Sequence, residues 1–250
     1  TVTAHLGANT KESQREISVQ AANNAIESAR GISYPNALNL PIDESKIPHF
    51  VKPYIELTQK MAFLLAQLSK SEIRSINITA EGEISEYLDS LQTFATVGVL
   101  AVSCGDEVNY VNANFIAKEK GIDLTTSEFS NHSGYQNKVS INITTPTGVK
   151  TISGTVFNED VQRIVEINGF PLDIEPKGKM IIMRNHDVPG VIGEVGKILG
   201  NNNINIADFR LSRGKDGALA VILIDEKACS DVLKKLDSLE AAIAVAYAEI

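Results

Sequence analysis

RNHDVPGVIGEVGKILG, residues 184–200, places an amide, an imidazole and a carboxylate just ahead of a Pro-Gly pair, then runs into apolar residues at helical spacing. Proline is pre-set for a first helical turn, so the spacing predicts a helix over 190–200. Around it, KMIIMR (179–184), INIADFRLS (204–212), ALAVILID (218–225) and AIAVAYAEI (242–250) read as strands, RGKDG (213–217) as a turn, and KACSDVLKKLDSL (227–239) as a second helix. The order βαββαβ predicts a ferredoxin-like antiparallel sheet with both helices on one face.

A helix that begins at Pro189-Gly190 offers unpaired backbone N–H groups and the positive end of its dipole to a carboxylate. A zwitterionic amino acid also needs an anion or amide for its ammonium. Asp187 and Asn185 suit that role, and Asn205, at the start of the next strand, would add one hydrogen bond. The plainer account is that Asp187 and Asn185 only cap the helix and that GNNN, 200–203, stops it with left-handed residues. The glycines do not form a dinucleotide fingerprint, because GVIGEVG is GxxGxxG rather than GxGxxG.

Working outward, the 250 residues are 43% hydrophobic and 22% charged, ordinary for a soluble globular protein. A net charge of -8 argues against nucleic-acid and anionic-membrane surfaces, leaving small molecules and proteins as expected partners. The most apolar stretch, TFATVGVLAVSCG (93–105), is shorter than the roughly 20 residues that span a bilayer and reads as a buried helix. No signal peptide is expected from the opening residues. Cys104 and Cys229 are far apart and lack CxxC or Cys/His spacing, so neither a disulfide framework nor a metal site is expected, and a reducing cytoplasm is the default.

Residues 10–31 read as a helix with Thr10 as N-cap, Ile17, Ala21, Ala25 and Ala29 on one face, and Gly31 as C-cap. Pro35, Pro41 and Pro48 then hold the chain extended, as at a domain junction. From 49 to 175 the pattern gives a long helix, a strand at 73–82, helices through 86–103 and 108–121, and a β-rich run from 137, turning at Pro146 and Gly148. This middle unit reads as α+β with an antiparallel sheet. Tyr54, Phe63, Phe94 and Phe115 are expected core residues, Cys104 a small buried hydrophobe, and His132 a polar loop residue. Lys138, Arg163 and Lys177 are candidate partners for a phosphate or carboxylate; isolated basic residues on strands are usually solvated, and Glu175 beside Lys177 would weaken an anion site.

NHDVPGVIGEVGKILGNNNINIADFRLSR, within its βαββαβ order, resembles an ACT domain, a regulatory module that binds amino acids at chain interfaces. The longer run from VNYVNANFIAKEKGI to SGTVFNEDVQRIVEINGFPLDIEPKGKMIIMRNHDVPGVIG resembles the C-terminal half of the D-3-phosphoglycerate dehydrogenase family. That resemblance implies an α+β chain in three parts: a remnant of the nucleotide and substrate domains (1–48), an allosteric substrate-binding, or intervening, domain (49–176) and an ACT domain (177–250). It implies serine contacts at Asn185, Asp187 and Asn205, the last reaching across from a neighbouring subunit, beside Pro189 and Gly190; Val188 stands where an Arg often precedes the Pro-Gly. TAHLGANTKESQ resembles the segment of D-2-hydroxyacid dehydrogenases that carries the catalytic histidine, which would make His5 the general base. It implies NAD as cofactor of the parent enzyme, though this chain lacks the GxGxxG turn and is expected to hold none, and self-association through ACT sheets. Two other classes compete: a stand-alone amino-acid sensor or assembly module, and the small subunit of an iron–sulfur serine dehydratase, whose cluster two isolated cysteines cannot ligate.

Overall fold

A computed structural model describes residues 7, 9–29, 47–69, 71–128 and 133–250. The chain divides into two units, Thr1–Ile47 and Pro48–Ile250. In the first, helix α1 spans Lys11–Ala29, and Thr10 Oγ1 accepts a hydrogen bond from the Ser13 amide at 3.1 Å, the expected N-cap. Its Ile17, Val19 and Ile26 are exposed. His5, Gly31, Pro35, Pro41 and His132 lie outside the described residues.

The second unit opens with helix α2 (Val51–Gln67), strand β1 (Ser75–Glu81), helix α3 (Leu88–Cys104), helix α4 (Ala113–Glu119) and strand β2 (Asp123–Glu128). Strands β3 (Lys138–Thr145), β4 (Gly148–Phe157), β5 (Val161–Ile167) and β6 (Phe170–Ile174) complete a six-stranded sheet in the order β2-β1-β3-β4-β5-β6. It is not wholly antiparallel, as the sequence suggested, because β2 pairs with β1 in parallel. The α3–α4 crossover supplies the long connection that a parallel pair requires. The helix expected over 108–121 shortens to α4: Asn109 Oδ1 accepts from the Val111 amide at 2.9 Å, and Asn112 Oδ1 from the Asn109 amide at 2.8 Å. Those side chains hold the preceding residues in a turn instead.

Helices α2 and α3 pack together and α2 crosses β4, burying Leu57, Met61, Leu64, Leu65, Ile141 and Ile152. Tyr54 is a core residue whose hydroxyl donates to the Asn137 carbonyl at 3.2 Å. Phe115 is not in the core: it is 63% exposed, because the short α4 turns it outward. Cys104 is half-buried at the end of α3 rather than enclosed. The helical run Glu83–Glu107 is long and apolar enough to cross a membrane, a length hidden in the 93–105 stretch, but half of its apolar window is buried in the protein.

Strands β7 (Lys179–Asn185), β8 (Ile206–Gly214), β9 (Gly217–Ile224) and β10 (Ala242–Glu249), with helices α5 (Val191–Asn201) and α6 (Ser230–Asp237), form the expected antiparallel sheet in the order β10-β7-β9-β8. Ile181, Met183, Ala220 and Ile222 face Val191, Val195, Leu199, Val232 and Leu236 in one core, so both helices lie on the same face. On the other face Met180, Ile182, Leu219 and Val221 are also buried, where β6 and the end of α2 pack against β8 and β10. The Gln67 amide clasps the main chain of Glu249, donating to its carbonyl at 3.0 Å and accepting from its N–H at 3.1 Å.

Two tests follow from this packing. A Cβ at Gly98 of α3 would collide with the Gln59 carbonyl oxygen of α2. Helix propensity alone favours Gly98→Ala by about 1 kcal/mol, but overpacking costs about 1–3 kcal/mol, so the substitution should lower the urea midpoint at unchanged slope. Burial and a hydrogen bond to Glu249 push the Tyr247 hydroxyl up to about 12 from 10. The folded chain thus holds this proton more tightly than the unfolded chain. Stability should be unaffected by this group below pH 10 and fall as pH rises from 10 towards 12, and Tyr247→Phe should remove that component from alkaline urea titrations.

Candidate functional site

The cleft at the start of α5 is floored by Ala220 of β9. Across the sheet, Ala218 of β9 pairs with Asn185 of β7 on one side and Arg213 of β8 on the other; Ala220 likewise separates Met183 from Leu211. Strands are about 4.8 Å apart, so Asn185 and Arg213 stand roughly 10 Å from each other. The result is a cleft of about 450 Å³, walled by Val188, Pro189, Gly190 and Ile192 and closed on its far side by Phe209 and Leu211.

Its polar groups are few. Asn185 is 3% exposed; its Nδ2 donates to the His186 carbonyl at 2.8 Å, while Oδ1 is buried without a hydrogen-bond partner among the described residues. Asp187 Oδ2 lies 3.3 Å from Arg213 Nε. Gly190 takes a left-handed conformation, φ 95°, and caps α5 with no side-chain hydrogen bond. The first-turn amides of α5, which have no carbonyl partner within the helix, therefore open toward the cleft alongside one carboxylate, one guanidinium and one orphaned amide oxygen. This donor and acceptor set matches the two ends of an amino acid.

Residues 50–168 match the D-3-phosphoglycerate dehydrogenase intervening domain family, and residues 179–241 match the ACT domain family. A D-3-phosphoglycerate dehydrogenase from Bacillus subtilis (strain 168) is 36% identical over 223 residues, 89% of this chain and 42% of that protein. One from Synechocystis sp. is 28% identical over 239 residues (94% and 43%), and one from Archaeoglobus fulgidus is 29% identical over 253 residues (99% and 48%). The chain joins a D-3-phosphoglycerate dehydrogenase intervening domain to an ACT domain and matches the C-terminal half of these relatives. It spans less than half the length of these relatives.

Within this ACT domain the cleft gathers Asn185, Asp187, Pro189 and Gly190, but not Asn205. Asn205 lies just before β8, at the strand end away from Arg213, where its Nδ2 donates to Asp225 at 2.6 Å and its amide to Glu226 at 2.7 Å. Arg213, Phe209 and Leu211 are additions to the sequence-derived set. Their signal was there: they alternate along FRLSR, as one face of a strand must.

The three candidate anion-binding residues, Lys138, Arg163 and Lys177, fall into two carboxylate-paired groups. Lys138 lies 3.6 Å from Glu166 in a polar groove of about 260 Å³ on the six-stranded sheet. Arg163 approaches Asp173 (3.4 Å) and Glu175 (3.9 Å), and Lys177 pairs with Glu175 at 2.6 Å. Among the described residues no group of three His, Cys, Asp or Glu side chains is arranged to hold a metal ion.

The Asp187–Arg213 pair is 38% and 71% exposed, and pairs of this kind contribute roughly 0–1 kcal/mol. Asp187→Asn should therefore shift stability by less than about 0.5 kcal/mol in urea unfolding, whatever it does to binding.

Proposed function

We propose that this chain is the regulatory portion of an NAD-dependent D-3-phosphoglycerate dehydrogenase and that the cleft at the start of α5 binds L-serine as a feedback effector. The observation that carries this reading is the buried, unpartnered Oδ1 of Asn185 beside the uncapped amides of α5. A buried acceptor without a donor is unfavourable by about 1–3 kcal/mol, and a ligand ammonium shared with Asp187 would relieve it. The ligand carboxylate would take the α5 amides, with Arg213 close by.

Asn205 contributes from a second copy's sheet in this reading, since it lies away from its own chain's cleft. Exposed Val188, Ile192 and Leu211 at the rim suit self-association through ACT domains. Residues 1–48, 49–176 and 177–250 correspond to a dehydrogenase remnant, the intervening domain and the ACT domain. The parent enzyme oxidises 3-phosphoglycerate to 3-phosphohydroxypyruvate in cytoplasmic L-serine biosynthesis, with His5 as general base. The described residues do not fit NAD: the glycines that open α5 are three apart, and no GxGxxG turn joins a strand to a helix. No hydride step is therefore assigned to them; their role is to bind.

A second reading, an ACT module that serves assembly alone, draws on the Asp187–Arg213 pair, which already gives the carboxylate a partner. Calorimetric titration of the chain with L-serine separates the two. The effector reading expects saturable heat, weaker heat for glycine and L-alanine, and roughly ten- to hundredfold weaker serine binding in Asp187→Ala, as for loss of a charge-assisted hydrogen bond. No heat from folded protein with any of the three would leave assembly as the function.

A further inference from the structure

Four contacts converge on the β8–β9 hairpin, residues 213–217. Arg213 Nε lies 3.3 Å from Asp187 in the cleft. Its neighbour Gly214 is packed so closely on Phe170 of β6 that a Cβ there would come within 2.9 Å of the ring. The Asp216 carbonyl accepts a hydrogen bond from the Arg184 guanidinium at 2.9 Å, and that guanidinium lies 4.9 Å from the centroid of the same Phe170 ring. Gly217, at φ 109°, would bring a Cβ to 2.5 Å from the Asn185 carbonyl oxygen. One five-residue segment thus touches both sides of the cleft and the aromatic residue that opens the edge strand of the intervening domain.

Arg184 and Asn185 are successive residues of β7, so their side chains leave opposite faces of the sheet. Each holds a buried atom with no hydrogen-bond partner among the described residues, Nε of Arg184 and Oδ1 of Asn185. Buried polar groups left unpaired are costly, so a small displacement that supplies a partner to either is favoured.

We propose that the 213–217 hairpin and Arg184 form the coupling element through which occupancy of the cleft is felt by the intervening domain; this rests on the effector reading above. A ligand ammonium at Asp187 competes with Arg213 for the carboxylate, and a ligand carboxylate competes with Asp187 for Arg213. Either exchange moves Arg213. Gly214 and Gly217 bring the hairpin backbone so close to Phe170 and Asn185 that no side chain would fit between, and through these contacts the movement reaches the Arg184–Phe170 stack. Linkage then requires the reverse: perturbing that stack must alter affinity in the cleft. Arg184 is a positioning residue in this scheme and need not touch the ligand.

The chain contains no tryptophan, so Phe170→Trp installs a unique fluorophore at the stack. That variant is titrated with L-serine by emission and calorimetry in parallel, then again with Arg184→Met or Arg184→Lys added, each checked for native circular dichroism. Coupling expects an emission change that saturates with the heat. It expects Arg184→Met to keep the heat, lose the emission change and shift affinity by about two- to thirtyfold, with Arg184→Lys retaining part of the signal. Heat without an emission change, or an Arg184→Met protein with unaltered affinity and emission, overturns the coupling while leaving the effector site intact. No heat from the unsubstituted chain overturns the effector reading, and the coupling with it.

Discussion

Strand β7 is buried on both faces, and the arrangement of the Pro48–Ile250 unit depends on that constraint. Ile181 and Met183 enter the core beneath α5 and α6, while Met180 and Ile182 are enclosed on the side where β6 and α2 pack. Neither face can rotate into water without exposing two large apolar side chains, each worth about 1.5–3 kcal/mol of burial. This strand therefore fixes the position of whatever lies at its end. What lies there is Arg184 on one face and Asn185 on the other, each donating one side-chain hydrogen bond to a main-chain carbonyl and each keeping one buried polar atom without a hydrogen-bond partner among the described residues.

The cleft inherits its character from that rigidity. Its floor is small because β9 contributes Ala220 opposite Met183 of β7, and its mouth is uncapped because Gly190 has no side chain to turn back on the α5 amides. At φ 95° that position favours glycine over the serine or aspartate that would otherwise satisfy an amide internally, so the anion-attracting end of the helix stays open. The local rule that a helix start should be capped is broken at the one place where a ligand could supply the missing partner. Such violations are expected at functional sites rather than in the scaffold.

Much of this was legible in the chain. KMIIMR, ALAVILID and the amphipathic 190–200 segment carry apolar patterns too regular to mistake, and turns rich in Gly, Asn and Asp bound them, so the βαββαβ order follows directly. The losses have physical causes. DLTTSE, which forms β2, is polar along its length because it is an edge strand with little to bury, so it shows neither alternation nor an apolar run. Asn109 and Asn112 replace helical hydrogen bonds with their own, which apolar spacing cannot reveal. Phe115 falls on a helical pattern, yet which face is covered depends on where α3 ends. The Phe170–Arg184 stack joins residues from two sheets and has no local signature.

Charge pairing separates the cleft from the other basic positions. Lys138 faces Glu166, and Arg163 and Lys177 face Asp173 and Glu175, so each of these three candidate cations already has a carboxylate near it and an incoming anion would have to displace one. At the cleft Arg213 also has a carboxylate partner, Asp187, but there the helix terminus adds backbone N–H donors that no N-cap side chain occupies. In a chain of net charge -8, most of the surface repels an anion. A zwitterion meets that field with both signs, and the start of α5 is where the described residues offer an acceptor for its ammonium within reach of donors for its carboxylate.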